Sequence, residues 1–211
     1  MNTLIKMGIF CSFMVGGCAA ESESDAVISS AQQPSITSGP AITQGGNSSA
    51  RILASPPSGS GLEINGSSDL GSFLIASYGA TTGTAGSSDA TGGVTVTPAS
   101  DAAFVYILQG SGTGYSGRQL RLQRMPRSSV LQAAASTGDV TCGTVASDTA
   151  TTLSLVFHAA AGTFDVLIGG KDSACKGLPT KLQPPVIGFS LMDASNEGWG
   201  GTVDFTNLTI Y

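Results

Sequence analysis

Asp193, Asn196, Glu197 and Trp199 stand within seven positions of one another, in the stretch of this 211-residue chain where residue types and spacing best suit ligand chemistry. Asp193, Asn196 and Glu197 bring oxygen ligands to one short turn, enough to contact sugar hydroxyls or to seat Ca²⁺. Trp199 is the only tryptophan, and its neighbours Gly198, Gly200 and Gly201 would let its ring project and the backbone come close to a ligand. The plainer reading makes the carboxylates local turn acceptors and folds Trp199 over the end of a core. We expect any ligand at this turn rather than on a sheet face, and Ca²⁺ is the only cofactor the residues suggest. Asp193 and Glu197 lie four apart across a turn, so they do not form a pair on one strand, and no catalytic residue is predicted.

Arginines recur at 118, 121, 124 and 127. On a strand that spacing alternates sides, so they cannot form one patch. Arg121, flanked on its own face by Gln119 and Gln123, makes a polar strip that could bind hydroxyls or simply meet water. His158 is the single histidine. No G-x-S-x-G turn accompanies it, so a surface or satisfied strand histidine is expected rather than a base. Tyr78 and Tyr115 are weaker candidates for ring stacking.

The elements that must position these residues are strands. Leu153, Leu155 and Phe157 repeat at period two, as do Phe164, Val166 and Ile168 after a small-residue break, which is a hairpin with one apolar face. Ile187, Phe189 and Leu191 alternate before the 195–201 turn. Upstream, GLEIN, SFLIASYG, GVTVT, AFVYIL, RQLRLQRMP, SSVLQAAAS and DVTCGTV read as further strands, and no helical period persists after Arg51. In the last strand Val203 and Phe205 share a parity that Leu208 and Ile210 break. Leaving those two apolar side chains in water would cost roughly 1.5–3 kcal/mol each, which predicts a bulge near Thr206 or Asn207. The fold class is therefore all-β, a two-sheet antiparallel sandwich.

The amino terminus reads as an address. Lys6 precedes the nine-residue apolar run MGIFCSFMV, too short to span a bilayer, and Val15-Gly16-Gly17-Cys18 follows. That sequence resembles the lipobox of bacterial lipoproteins, which implies removal of residues 1–17 and lipid on Cys18. With Ala19 next, the resemblance implies sorting to the outer membrane of the cell envelope and a partnership with the membrane through the lipid. Residues 18–50, polar and rich in Ser, Gly and Pro, are expected to be the lipidated terminus and a flexible stalk on the order of 30 Å in span. Residues 51–211 would form the folded domain. Within it Cys142 and Cys175 are an even pair in an exported chain and read as a disulfide.

Taken together, RQLRLQRMPRSSVLQA, FHAAAGTFDVLI and GFSLMDASNEGWGGTVDFTNLTIY resemble the back half of a concanavalin A-like lectin or laminin-G-like jelly-roll. The resemblance implies binding of a glycan or another surface component, and a last strand that pairs near the first. Retaining glucanases of similar architecture place acids as E-x-D-x-x-E on one strand, and this sequence has no such run. A glycan hydrolase or lyase is thus the second reading, and a purely structural surface subunit the third. The chain has 9 basic and 14 acidic residues, a net charge of −5, and only 11% charged residues, a balance that excludes a nucleic-acid binder.

Overall fold

The computed structural model describes residues 35–53, 61–69, 71–81, 89–100, 102–193 and 200–211. Cys18 and Lys6 lie outside them. The strands are β1 (Ser35–Gly45), β2 (Ser49–Leu53), β3 (Gly61–Gly66), β4 (Phe73–Thr81), β5 (Ala90–Pro98), β6 (Phe104–Gly110), β7 (Gln119–Arg124), β8 (Val130–Ala135), β9 (Gly138–Thr144), β10 (Thr151–His158), β11 (Thr163–Ile168), β12 (Lys171–Asp172), β13 (Leu178–Pro179), β14 (Val186–Asp193) and β15 (Gly201–Ile210). A five-residue helix, α1 (Gly114–Arg118), precedes β7.

Two antiparallel sheets result. One has seven strands in the order β1-β4-β14-β6-β7-β8-β9; the other runs β12-β11-β10-β5-β15-β3-β2, with β13 beside β11. From β3 to β6 the chain changes sheet at every step, and β14 and β15 do so again, each entering the middle of its sheet. This is the jelly-roll sandwich that the strand pattern predicts. As the resemblance implied, the last strand lies against β3 and β5.

Alternate residues of both sheets meet in one core. Phe104, Tyr106, Leu120, Leu122, Phe189 and Leu191 come from the seven-stranded sheet; Leu62, Ile64, Leu153, Phe157, Phe164 and Phe205 come from the other. Tyr78 stacks on Phe189 at 4.7 Å, and Phe104 meets Phe205 edge to face at 5.8 Å. Tyr106 reaches across to Gly92, where a β-carbon would strike both its hydroxyl and the Leu108 side chain, so glycine is required at that place in β5.

The expected bulge in β15 is present. Pairing with β5 shifts register between Thr206 and Thr209, Asn207 takes a φ of 50°, and Leu208 and Ile210 return to the core at 3% and 4% exposure. A second irregularity was not expected: β14 slips between Val186 and Gly188, turning Val186 inward and leaving Ile187 half in water, so Ile187 does not share the inward parity of Phe189 and Leu191.

The boundary between stalk and domain also differs from the sequence reading. Residues from 35 onward, expected to belong to a stalk reaching Ala50, form β1 against β4 and β2 against β3. Ile36 and Ala50 pack against the core from those strands.

Cys142 and Cys175 form the disulfide that the sequence predicts. Cys142 is the extra residue where β9 slips against β8, and this turns it inward. The bond ties β9, at the edge of the seven-stranded sheet, to the 173–177 segment, whose Cys175 carbonyl accepts from Val166 in the other sheet. Ala174 N–H donates to the Cys142 carbonyl beside it. One side of the sandwich is thereby closed covalently, which in the chain-entropy model contributes about 3–4 kcal/mol for the separation of 33 residues.

Candidate functional site

Because alternate residues serve the core, the other parity of each strand forms an outer face. Register places that parity of the seven-stranded sheet in rows. Ser77 of β4 lies opposite Ser190 of β14, Ser190 opposite Ile107 of β6, and Ile107 opposite Arg121 of β7. A neighbouring row runs Ile75, Met192, Val105, Gln123, Gln132 and Thr141, from β4 to β9. On the other flank Gln109 stands opposite Gln119.

Four glutamines and Arg121 thus surround an apolar floor. Ile107 is 5% exposed and Ser190 2%, although both point away from the core. Gln109 Nε2 donates to Ser190 Oγ at 2.8 Å, and Ser190 Oγ lies 2.9 Å from Ser77 Oγ. Gly188 leaves room for the Gln109 amide, whose oxygen would come within 3.3 Å of a β-carbon there. Gln123 Nε2 donates to Gln132 Oε1 at 3.5 Å, a weak bond.

The hydrogen bonding of this face is incomplete. Gln119 Oε1 and Arg121 Nε are buried and have no partner. Burying a polar group without one costs on the order of 1–3 kcal/mol. Arg121 Nη2 lies 3.7 Å from Asp139 Oδ1, an ion pair longer than a hydrogen bond, and the Asp139 side chain is 46% exposed. The polar strip expected around Arg121 therefore exists, and it joins residues of β4, β14, β6, β8 and β9 that the sequence could not bring to it.

Of the other arginines only Arg124 shares β7 with Arg121, on the opposite parity; Arg118 ends α1, and Arg127 lies beyond the strand with a φ of 53°. Arg124 points inward, 3% exposed, and donates to the carbonyls of Ala102 and Val145 (3.2 Å) and to Ser147 Oγ (2.8 Å). It holds together two loops at one end of the sandwich. Arg118 donates to the Gly112 carbonyl at 2.8 Å.

Of the turn expected to bind a ligand, Asn196, Glu197 and Trp199 lie outside the described residues. Asp193 is described, and it has a structural task. It is 4% exposed, shares the inward parity of Phe189 and Leu191, and accepts the Leu74 N–H at 3.0 Å. Gly66 makes room for it from the opposite sheet, since a β-carbon there would sit 3.0 Å from that of Asp193. Gly200 and Gly201, expected to admit a ligand, instead press on protein: a β-carbon would meet Ser68 N at 2.7 Å from Gly200 and Ala102 at 2.8 Å from Gly201.

Tyr78 is a core residue, 2% exposed, and burial pushes its hydroxyl up to about 12. His158 Nε2 lies 3.2 Å from Asp165 Oδ2, and Asp165 Oδ1 accepts the Gly177 N–H at 2.6 Å, so this histidine is satisfied within the strands. Among the described residues no three of His, Cys, Asp and Glu gather as a metal site.

The outer face of the eight-stranded sheet is different in character. It carries short hydroxyl side chains, of which Thr95 and Thr152 bond one another at 3.2 Å. One row, Arg51–Glu63–Asp204–Thr97, carries charge across four strands. Arg51 forks onto Glu63 at 3.1 and 2.7 Å, and that bond holds the Glu63 carboxyl below its ordinary range. Asp204 directly faces Glu63, and its Oδ1 is buried without a partner. Burial first, and the Glu63 charge second, raise the Asp204 carboxyl above the usual range. The sequence reading missed this pair because Glu63 and Asp204 meet only through register.

No known family model matches this sequence, and no curated protein matches it. Solved structures do match its fold. The sandwich is similar to "Cellulose induced protein, Cip1", with a TM-score of 0.55 at 14% identity, over 81% of this chain and 90% of that one. It is also similar to part of a sialidase (TM-score 0.55, 9% identity) and of the Trypanosoma rangeli sialidase (TM-score 0.50, 14% identity). The match takes in 77% of this chain in both cases, and spans only 17% and 26% of those longer proteins. At such identities the likeness is one of fold: the chain is a two-sheet jelly-roll sandwich.

The raised Asp204 gives a stability prediction. A carboxyl that holds its proton more tightly in the folded than in the unfolded chain stabilises the fold at acid pH, and that contribution declines as pH rises from the ordinary value near 3.8 through the raised one. Asp204→Asn keeps the neutral form at every pH. It should melt about 1–3 °C above the parent at pH 7, as expected from removing one cross-strand like-charge pair, with the gap closing toward pH 3. A variant that melts lower at pH 7, or whose advantage is the same at both pH values, would contradict this assignment.

Proposed function

We propose that this protein is a carbohydrate-binding lipoprotein of the bacterial envelope, whose sandwich takes its glycan on the outer face of the seven-stranded sheet. The observation that carries the reading is the composition of that face. Gln109, Gln119, Gln123 and Gln132 each offer a donor and an acceptor on one side chain, and they border an apolar floor of Ile75, Val105, Ile107 and Met192. Sugar rings present hydroxyls at their rims and C–H groups on their faces, so a floor of this kind with amides around it suits them. The opposite face offers short side chains, with Thr95 and Thr152 already bonded to each other, and an arginine already bound to Glu63. Likeness of fold to a cellulose-induced protein agrees with this reading.

The role is binding without catalysis. Glycoside hydrolysis needs two carboxyls flanking the scissile bond. Asp139 stands alone among the described strand residues of the proposed face, and Glu63 and Asp204 lie on the other sheet. The lipid on Cys18, and with it display at the outer membrane, rests on the Val15-Gly16-Gly17-Cys18 sequence. With β1 beginning at Ser35, the tether is shorter than a stalk reaching Ala50 would be.

Two experiments test these parts. The purified protein, assayed on polysaccharides by affinity electrophoresis, should retard on at least one. Gln109→Ala with Gln123→Ala should weaken that interaction at least tenfold without lowering the melting temperature by more than a few degrees, whereas Thr97→Ala with Thr152→Ala should leave it unchanged. The reverse pattern would move the site to the other sheet, and no retardation on any glycan would remove the reading. In the bacterial cell, Cys18→Ala should shift the protein from the membrane to the soluble fraction; unchanged partitioning would refute the lipid anchor.

A further inference from the structure

Arg121 occupies a particular place on the proposed face. It is the only cation that the described strands put there, and it lies next to the buried centre, with Ile107 directly opposite on β6. Its flanks on the same strand are the uncharged Gln119 and Gln123. A guanidinium carries five N–H donors in a planar fork and has no neutral state in proteins. Here that fork is poorly used. Nε has no partner, and Asp139 approaches only Nη2, at 3.7 Å, from the exposed edge strand β9. Gln119 Oε1, on the same strand and the same face, is also buried and unpartnered.

A neutral glycan would leave this cation as it is, since hydroxyls bond a guanidinium less strongly than an anion does. A carboxylate accepts two parallel N–H bonds from such a fork, and charge-assisted bonds of this type are roughly twice as strong as neutral ones. Asp139, half exposed and beyond hydrogen-bond distance, is a weak competitor that a ligand carboxylate can displace. The chain's net charge of −5 is no barrier, because charges separated by more than about 8 Å are largely screened at physiological ionic strength.

We infer that the glycan bound on this face is acidic, a polymer of uronic-acid type, and that Arg121 receives one sugar carboxylate with Gln119 and Gln123 on the adjoining hydroxyls. This inference rests on the carbohydrate-binding reading above and specifies its ligand class.

The experiment is isothermal titration of the purified protein with oligogalacturonate, oligoalginate and hyaluronan oligosaccharides, each against its fully carboxyl-esterified form, and with neutral cello- and xylo-oligosaccharides. At least one acid should bind at least tenfold more tightly than its ester, and the difference should shrink as salt is raised. Arg121→Gln should erase the difference. Arg121→Lys, which keeps the charge and loses the fork, should erase most of it and guards against a fold made unstable by the larger change. Equal binding of acid and ester, a preference for neutral oligosaccharides, or an acid preference that survives in a folded Arg121→Lys protein would overturn the inference while leaving the carbohydrate-binding reading intact. Failure to bind any of these glycans would overturn both.

Discussion

Two sheets facing one another across a single core impose a rule of alternation on every strand between them. An inward residue must be apolar or have its polar atoms satisfied, because burying an unpaired polar group costs as much as a typical single mutation removes. The outward residue is free of that demand. In this molecule the rule decides where function can sit. Arg124 and Asp193, both inward, are occupied by backbone carbonyls and by the Leu74 amide respectively. Arg121, three residues from Arg124 and on the other parity, is left with donors to offer. The bulges serve the same rule: Asn207 in β15 and the slip at Ile187 in β14 each restore an inward direction to the apolar residues that follow or precede them.

The two outer faces obey different chemistry. On the eight-stranded sheet Thr95 and Thr152 bond one another across strands, and Arg51 forks onto Glu63 while the Oδ1 of Asp204, facing Glu63 by register, is buried without a partner. On the seven-stranded sheet the side chains are long amides whose second donor or acceptor remains available. A ligand that completes those bonds gains what the free protein lacks, and Ile75, Val105 and Met192 around the buried Ile107 supply the apolar floor between them. The disulfide between Cys142 and Cys175 fixes the β9 end of this same face to the opposite sheet, so Asp139, Thr141 and the adjoining row are held against a closed edge.

Much of the fold was legible because period two is unambiguous in β7, β10 and β11, and the bulge in β15 followed from the parity conflict of Phe205 with Leu208. The Cys142–Cys175 bond was legible from count and compartment. β1 was not, since SITSGPAITQG carries glycine and proline and shows no sustained apolar period; its place comes from β4, a partner identified only in three dimensions. Asp193 could have been assigned correctly from the sequence, as it stands two residues past Leu191 on the inward parity, but the cluster of polar residues after it suggested a ligand site. The strip around Arg121 was visible on its own strand. Its extension to Ser77, Gln109, Gln132 and Ser190 was not, because cross-strand neighbours 9 to 113 positions apart follow from topology, as Gln123 with Gln132 and Ser77 with Ser190 show.

The central claim is that ligand meets the outer face of the seven-stranded sheet. Backbone amide shifts in a nuclear magnetic resonance titration with the first oligosaccharide found to bind would test it most directly. The account predicts that the largest changes fall in residues 105–109, 119–123 and 188–192, with β5 and β10 unmoved. Changes concentrated in the turn after Asp193, or in the threonine rows of β5, β10 and β15, would contradict it.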